Sequence, residues 1–396
     1  MKLKYQGLQL DKMINAVFIC NLPPSKHQIK NWYIDYLEKN DVKVNFWDVS
    51  SLLHPNTNDD YSEKINKDVF KSYTDLERAI SLGTKNIYVC YIYLEGQFSL
   101  KLYRLLSKYN CKVINIVASE MPIYKNAEHI KTFFSSIMKK PLINSKKFFY
   151  WLKLTLYKKL NLIKKFDIIF LTSSHHRNSS FFSDKLLYLN HYDYDAYKKI
   201  CNIKSKKFKF KYAVFLDLNL PFQSDIKISG DDFINAHLYY KSLNIFFDKV
   251  EDFFKIKIVI ALHYKSNLKS NPFKNRTCIK GETEKLVKDS EFVISHHSSS
   301  ISFPILFYKR IIFIFDEQIK IKYKNSRFLW IKQLAEYLNQ PAINIDQDID
   351  LDRIKISILN RVLYDKYKLN FLTSKNSSML SSEEIFLNGL LSIANK

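Results

Sequence analysis

At 396 residues the chain exceeds what one hydrophobic core organises, so two domains are expected. A hydrophobic content of 46% and an aromatic content of 15% exclude long disorder, and no run of about 18 uncharged apolar residues is available to form a membrane-spanning helix. The formal net charge of +23 points to an anionic partner (nucleic acid, a membrane surface or an acidic substrate), although abundant Lys, Asn, Ile, Phe and Tyr, the signature of an AT-rich genome, account for part of it.

The opening "MKLKYQGLQLDKMINAVFIC" lacks an uninterrupted apolar segment followed by a small-residue cleavage site, so secretion is not expected. "NAVFICNL" (15–22) has the composition of a buried strand. It is followed by "HQIKNWYIDYLEKN", where Ile29, Trp32, Ile34 and Leu37 recur at helical spacing. "VKVNFWDV" is a second strand; "NIYVCYIYL" (86–94) and "CKVINIVAS" (111–119) are two more, separated by the amphipathic "FSLKLYRLLSKYN". "FDIIFLTSS" (166–174) is another, and "KLLYLNHYDYDAY" (185–197) closes the first half. After the Lys-rich "KKICNIKSKKFKFK" a second series begins with "KYAVFLDL" (211–218). It continues through "KIKIVIALH" (255–263), "EFVISHH" (291–297) and "RIIFIFD" (310–316).

Continuous apolar strands with helical segments between them belong to parallel sheets covered on both faces. Two series therefore predict an α/β fold of two Rossmann-like, doubly wound domains facing across a cleft. The expected boundaries are 1–200 and 201–325, with a helical segment over 326–396 packing back across the junction. The five cysteines (Cys20, Cys90, Cys111, Cys201 and Cys278) form no CxxC pair and no metal-ligand spacing. That pattern predicts a reducing, cytoplasmic setting and no metal.

Ligands of open α/β sheets bind at the carboxyl ends of the strands. Those positions hold Glu95 in "YLEGQ", "TSSHHRN" after 166–171, Asp217 in "FLDLNLPFQSD", His263 in "IALHYKSN" and Ser298–Ser300 in "SHHSSSIS". An acid, a histidine and hydroxyls gathered there suit group transfer from a phosphorylated donor. Each also has a plain structural role: His263 as a turn residue, Asp217 before Pro221 as turn chemistry, Ser298–Ser300 as the cap of a helix starting near Ile301. Serine capping is compatible with phosphate binding, because it leaves backbone N–H groups exposed. "GETEKLVKDS" (281–290) predicts a helix from about Thr283, with Glu284 in a favourable first turn.

"IALHYKS", "GETEKLVKDSEFVISHHSSSISFPILFYKRIIFI" and "YLNHYDYDAY" resemble segments of bacterial surface-polysaccharide glycosyltransferases of the GT-B architecture. Among these the resemblance is to enzymes using CMP-activated nonulosonic or ulosonic acids, the sialyl-, pseudaminyl- and Kdo-transferases. It spans about 190–316 and is weak in the first half. In bacterial sialyltransferases a His-Pro motif and a Ser-Ser/Thr motif hold the CMP phosphate, and an acidic-Gly motif supplies the base. The corresponding positions are His263-Tyr264, without the proline, Ser298–Ser300, and Glu95-Gly96, half of the usual pattern. The resemblance thus implies a metal-independent transferase with catalytic His263 and a carboxylate that is either Glu95, as base, or Asp217, as base or nucleophile. Its donor would be held by Ser298, Ser299, Ser300, Thr283, Glu284, Lys265 and Arg276. No cofactor beyond the CMP-linked donor is implied, and the acceptor would be a surface glycan or a lipid-linked precursor. A UDP-sugar or polyol-phosphate transferase of the same fold is the alternative, followed by a non-catalytic α/β protein that binds an anionic polymer.

The stretch "KKFFYWLKLTLYKKLNLIKK" (146–165) carries seven lysines and no acid. It has two readings: an apolar face packed on the first domain, or an interfacial segment drawn to anionic headgroups on the inner face of the cell membrane. The dispersed basic residues and the lack of a nucleic-acid module argue against a nucleic-acid partner.

Overall fold

The computed structural model describes residues 14–21, 24, 29, 31–53, 65–91, 99–117, 141–172, 181–204, 206–223, 226, 232–267, 270–352 and 358–394, with side chains from 149 onward in the helix that begins at 141. The chain divides into two compact units. The first comprises Met1–Ser119, Lys125–Leu189 and Ser374–Lys396; the second comprises Glu120–Tyr124 and Asn190–Thr373.

The first unit is a seven-stranded parallel sheet. Its strands are β1 (Ile14–Cys20), β2 (Val42–Asp48), β3 (Asp68–Val69), β4 (Ile87–Cys90), β5 (Lys112–Val117), β6 (Ile168–Leu171) and β7 (Leu186–Tyr188), in the order β3-β2-β1-β4-β5-β6-β7. Alternation along each strand supplies both faces. Val17, Ile19, Tyr88, Val113 and Ile169 meet Leu76 and Ile80 of the helix Tyr73–Leu82 and Leu102 and Leu106 of the helix Ser99–Lys108. Ala16, Phe18, Val89, Ile114, Ile168 and Phe170 cover the opposite face with Leu37 and with Phe386, Leu390 and Ile393. The last three come from the helix Ser382–Ala394, the end of the chain, which thus completes the first unit. Gly389 permits its close approach: a Cβ there would lie 2.3 Å from Phe170 Cζ.

The second unit is a six-stranded parallel sheet of β8 (Tyr212–Leu216), β9 (Lys257–Leu262), β10 (Cys278–Lys280), β11 (Phe292–Ser295), β12 (Arg310–Phe315) and β13 (Ala342–Asn344). The order is β10-β9-β8-β11-β12-β13, so the chain winds outward both ways from β8. Ala213, Phe215, Ile258 and Ile260 pack on Leu243, Phe246, Phe247 and Val250 of the helix Ala236–Phe254. Tyr212, Val214, Leu216 and Val259 pack on Leu286, Val287 and Phe303 from the other side.

Two boundaries differ from expectation. The second unit starts at Asn190, because the helix Tyr192–Ile200 buries Ile200 and sets Ala196 against that unit's core. Residues 326–373 also belong to it: the helix Arg327–Leu338 and strand β13 flank β12 and extend its core. Only the final stretch returns to the first unit. Among the described residues no helix is long and apolar enough to cross a membrane, and no group of three His, Cys, Asp or Glu side chains is placed to hold a metal ion.

Candidate functional site

The register aligns the ends of three neighbouring strands. Leu216 of β8 lies opposite Ala261 of β9 and Ser295 of β11. Asp217, His263 and the segment 296–300 therefore leave the sheet along one edge, its carboxyl end. The chain reverses its winding direction between β8 and β11, and the crevice at such a switch point is where open α/β sheets bind ligands.

Two of the three segments are tied together. Asp217 is buried; its Oδ1 accepts the Asn219 N–H (2.9 Å) and its Oδ2 accepts the Ser266 hydroxyl (3.3 Å). The His263 N–H also donates to this carboxyl, while burial pushes its pKa up to about 6. Asp217 thereby holds the turn after β9. In that turn Ser266 N–H returns to the His263 carbonyl (2.9 Å), and Lys265 N–H donates to His263 Nδ1 (3.2 Å). An Nδ1 that accepts leaves the ring proton of the neutral imidazole on Nε2, so His263 is set as an Nε2–H donor. From β10, Lys280 Nζ donates to the Ser266 carbonyl (3.0 Å).

After β11, Ser298 caps the short helix Ser299–Ile301 in extended backbone, its hydroxyl accepting the Ser300 N–H (3.2 Å). That turn continues directly into the helix Ser302–Leu306. Ser298 is buried, Ser300 half-buried and Ser299 exposed. The two preceding histidines belong to the fold. His296 is fully buried, with Nδ1–H donating to the Ile314 carbonyl (2.7 Å) and Nε2 accepting the Tyr239 hydroxyl (2.9 Å); burial lowers its pKa to about 4. His297 is buried beside Trp330, and burial, aided by Arg327, holds it well below the ordinary histidine range.

A third element, absent from the expected site, joins these turns. The helix Tyr192–Ile200 begins with His191, Tyr192 and Asp193. The Tyr192 hydroxyl bonds to Ser299 and lies within electrostatic range of Tyr264, the neighbour of His263. Asp193 is buried, contacts the Ser302 hydroxyl and feels the charge of Glu284; burial pushes its pKa up to about 7. Its Oδ2 has no hydrogen-bond partner among the described residues and lies 3.6 Å from Nδ1 of His191, whose own pKa burial lowers to about 3. The signal in the sequence is the His-Tyr-Asp of "YLNHYDYDAY", one residue beyond an apolar run.

The other expected residues fall as follows. Thr283 opens the helix Thr283–Asp289 after β10, and the charge of Glu284 in its first turn bears on Asp193. The Lys265 ammonium lies 5.7 Å from the Tyr264 ring centre. Arg276 is not brought to the site. It stands two residues before Cys278, which pairs with Ile260, so it lies level with the amino end of β9, opposite to His263. There its guanidinium is buried against Asn244 (3.0 Å), Asp248 (2.5 Å) and Glu251 (2.6 Å) of the helix Ala236–Phe254. A charge already paired by two carboxylates has little left for a donor. Arg276→Met is expected to lower stability by about 2 kcal/mol in urea unfolding, leaving nucleotide affinity unchanged. Glu95 and most of "TSSHHRN" lie outside the described residues.

No family model matches the chain, and no curated protein matches it. Solved structures do. The wall teichoic acid polymerase TagF aligns with a TM-score of 0.51 at 11% identity, over 97% of this chain and 90% of that one. The glycosyltransferase SnogD from Streptomyces nogalater aligns with a TM-score of 0.49 at 9% identity, over 96% of this chain and all of that one (100%). The UDP-GlcNAc 2-epimerase of Methanocaldococcus jannaschii, in complex with UDP-GlcNAc and UDP, gives 0.48 at 13%, over 96% and 100%. Together with the two doubly wound parallel sheets, the likeness to the polymerase shows the fold, which is GT-B.

Proposed function

We propose that the chain is a GT-B glycosyltransferase that takes its sugar from a nucleotide-linked donor, bound at the carboxyl end of the second sheet. The observation that carries this reading is the emergence of Asp217, His263 and the Ser298–Ser300 turn from the carboxyl end of one sheet beside its switch point, with Tyr192 bonded to Ser299.

The chemistry follows from the leaving group. As the glycosidic bond to phosphate breaks, negative charge grows on the phosphate oxygen, and preorganised donors aimed at it lower the barrier. His263 supplies Nε2–H, held in that tautomer by Lys265 N–H. The Ser299 backbone N–H and the Ser299 and Ser300 hydroxyls supply further donors, and the Ser298 cap, which takes the Ser300 N–H, fixes the turn that carries them. Asp217 acts as a positioning residue: buried and engaged through both oxygens, it holds the His263 turn. Deprotonation of the acceptor hydroxyl falls in this reading to Glu95. The CMP-linked nonulosonic or ulosonic acid donor and the surface-glycan acceptor are carried over from the sequence resemblance over 190–316. A UDP-sugar or polyol-phosphate donor would use the same phosphate grip and differ in the base recognised.

Ser299→Ala and Ser300→Ala test the grip. Each removes a hydroxyl and leaves the Ser298 cap in place. Nucleotide affinity is expected to fall roughly three- to tenfold in each, about 1 kcal/mol per lost hydrogen bond, with melting temperature nearly unchanged. Unaltered affinity in both would return these serines to helix capping alone.

A further inference from the structure

In the first unit, the helix Pro141–Lys159 carries an apolar stripe that its own core does not cover. Leu154 packs inward and is 6% exposed, with Tyr150 and Tyr157 partly buried beside it. Phe149, Leu152 and Leu156, however, are 67%, 42% and 52% exposed, and Leu160 is 58% exposed. Leu160 extends the helix by one further backbone bond, its N–H donating to the Leu156 carbonyl (2.9 Å). Positions 149, 152, 156 and 160 follow the i, i+3, i+7, i+11 spacing of one helix face. Lys153 and Lys159 border that face on opposite sides, and the stretch 146–165 contains seven lysines and no acid.

Scattered exposed leucines need no explanation, but an aligned stripe with a cation on each flank does. We infer that this face docks on an anionic lipid bilayer. Phe149, Leu152, Leu156 and Leu160 would enter the headgroup–acyl boundary, while Lys153 and Lys159 extend sideways to lipid phosphates. The charge selects the occupant. A second copy of this strongly basic chain would bring lysines against lysines, whereas a leaflet rich in acidic lipid complements them. The surface belongs to the first unit and is made of residues that the donor site does not use.

Flotation of the full-length protein with vesicles tests this. Vesicles of phosphatidylcholine doped with phosphatidylglycerol are expected to carry the protein up the gradient, pure phosphatidylcholine to carry much less, and raised salt to release it. A lysine near such a surface is worth about fivefold in partitioning, so the double variant Lys153→Gln/Lys159→Gln should lose about 25-fold. Leu152→Ser/Leu156→Ser should lose roughly tenfold or more through its apolar contacts. Both should keep the wild-type nucleotide affinity and melting temperature, so a defect in folding or in the donor site is read separately. Equal binding to neutral and anionic vesicles would overturn the proposal, as would wild-type binding by both variants. A dimer in light scattering that Leu152→Ser/Leu156→Ser dissociates, without vesicle binding, would assign the stripe to self-association and overturn it as well.

Discussion

His263→Ala is expected to lower turnover by about 10²–10⁴-fold while changing donor affinity less than tenfold. The asymmetry arises because a hydrogen bond to the leaving phosphate strengthens as charge develops there, so its loss falls on the transition state. Stability should change little. The side chain is half-buried, and its hydrogen bond inside the turn, the acceptance from Lys265 N–H, is worth about 1 kcal/mol. His263→Asn sharpens the result. Its side-chain oxygen can still accept that N–H, as Asx turns do, but it presents no donor where Nε2–H stood. Turnover as low as in the alanine variant, with the turn kept, assigns the loss to the missing donor. Recovery of most activity in His263→Asn would reduce His263 to a turn residue.

His296→Ala should do the opposite. Two positions before the Ser298 cap, His296 is enclosed in the second core with both ring nitrogens satisfied. Truncation leaves a cavity and strands the Tyr239 hydroxyl and the Ile314 carbonyl, for a combined cost of about 3–5 kcal/mol. His296→Phe fills the space but cannot meet either polar partner, which isolates the unpaired groups at about 2 kcal/mol. Urea unfolding measures both. Nucleotide affinity of the remaining folded protein should match wild type, and a selective loss of turnover in His296→Phe without destabilisation would place this ring in the chemistry instead.

Much of the fold was legible because each long strand is an uninterrupted apolar run: "YAVFL", "KIVIAL", "FVIS" and "RIIFIF" are β8, β9, β11 and β12 almost to the residue. The strands that escaped notice, β3, β10 and β13, are two or three residues long and lie at or beside sheet edges, too short to show a hydrophobic period. The two unit boundaries depended on where helices bury their faces, which local pattern does not state.

The candidate site was legible only as positions directly after a strand, which is where Asp217, His263 and Ser298–Ser300 lie. It was not legible where tertiary packing brings in another helix: nothing local tells that Tyr192 meets Ser299 across more than one hundred residues of chain. Arg276 shows the converse. A guanidinium looks the same in sequence whether it serves a ligand or its own fold, and its carboxylate partners Asp248 and Glu251 lie 28 and 25 residues away.

The most direct test of the central claim is calorimetric titration of the full-length protein with CMP, UDP and GDP in parallel. The expected result is saturable binding of CMP, tighter than that of the other two and weakened in Ser300→Ala. Saturable binding of UDP or GDP in place of CMP would contradict the donor assignment, and no saturable heat with any of the three would contradict a nucleotide site in the second unit.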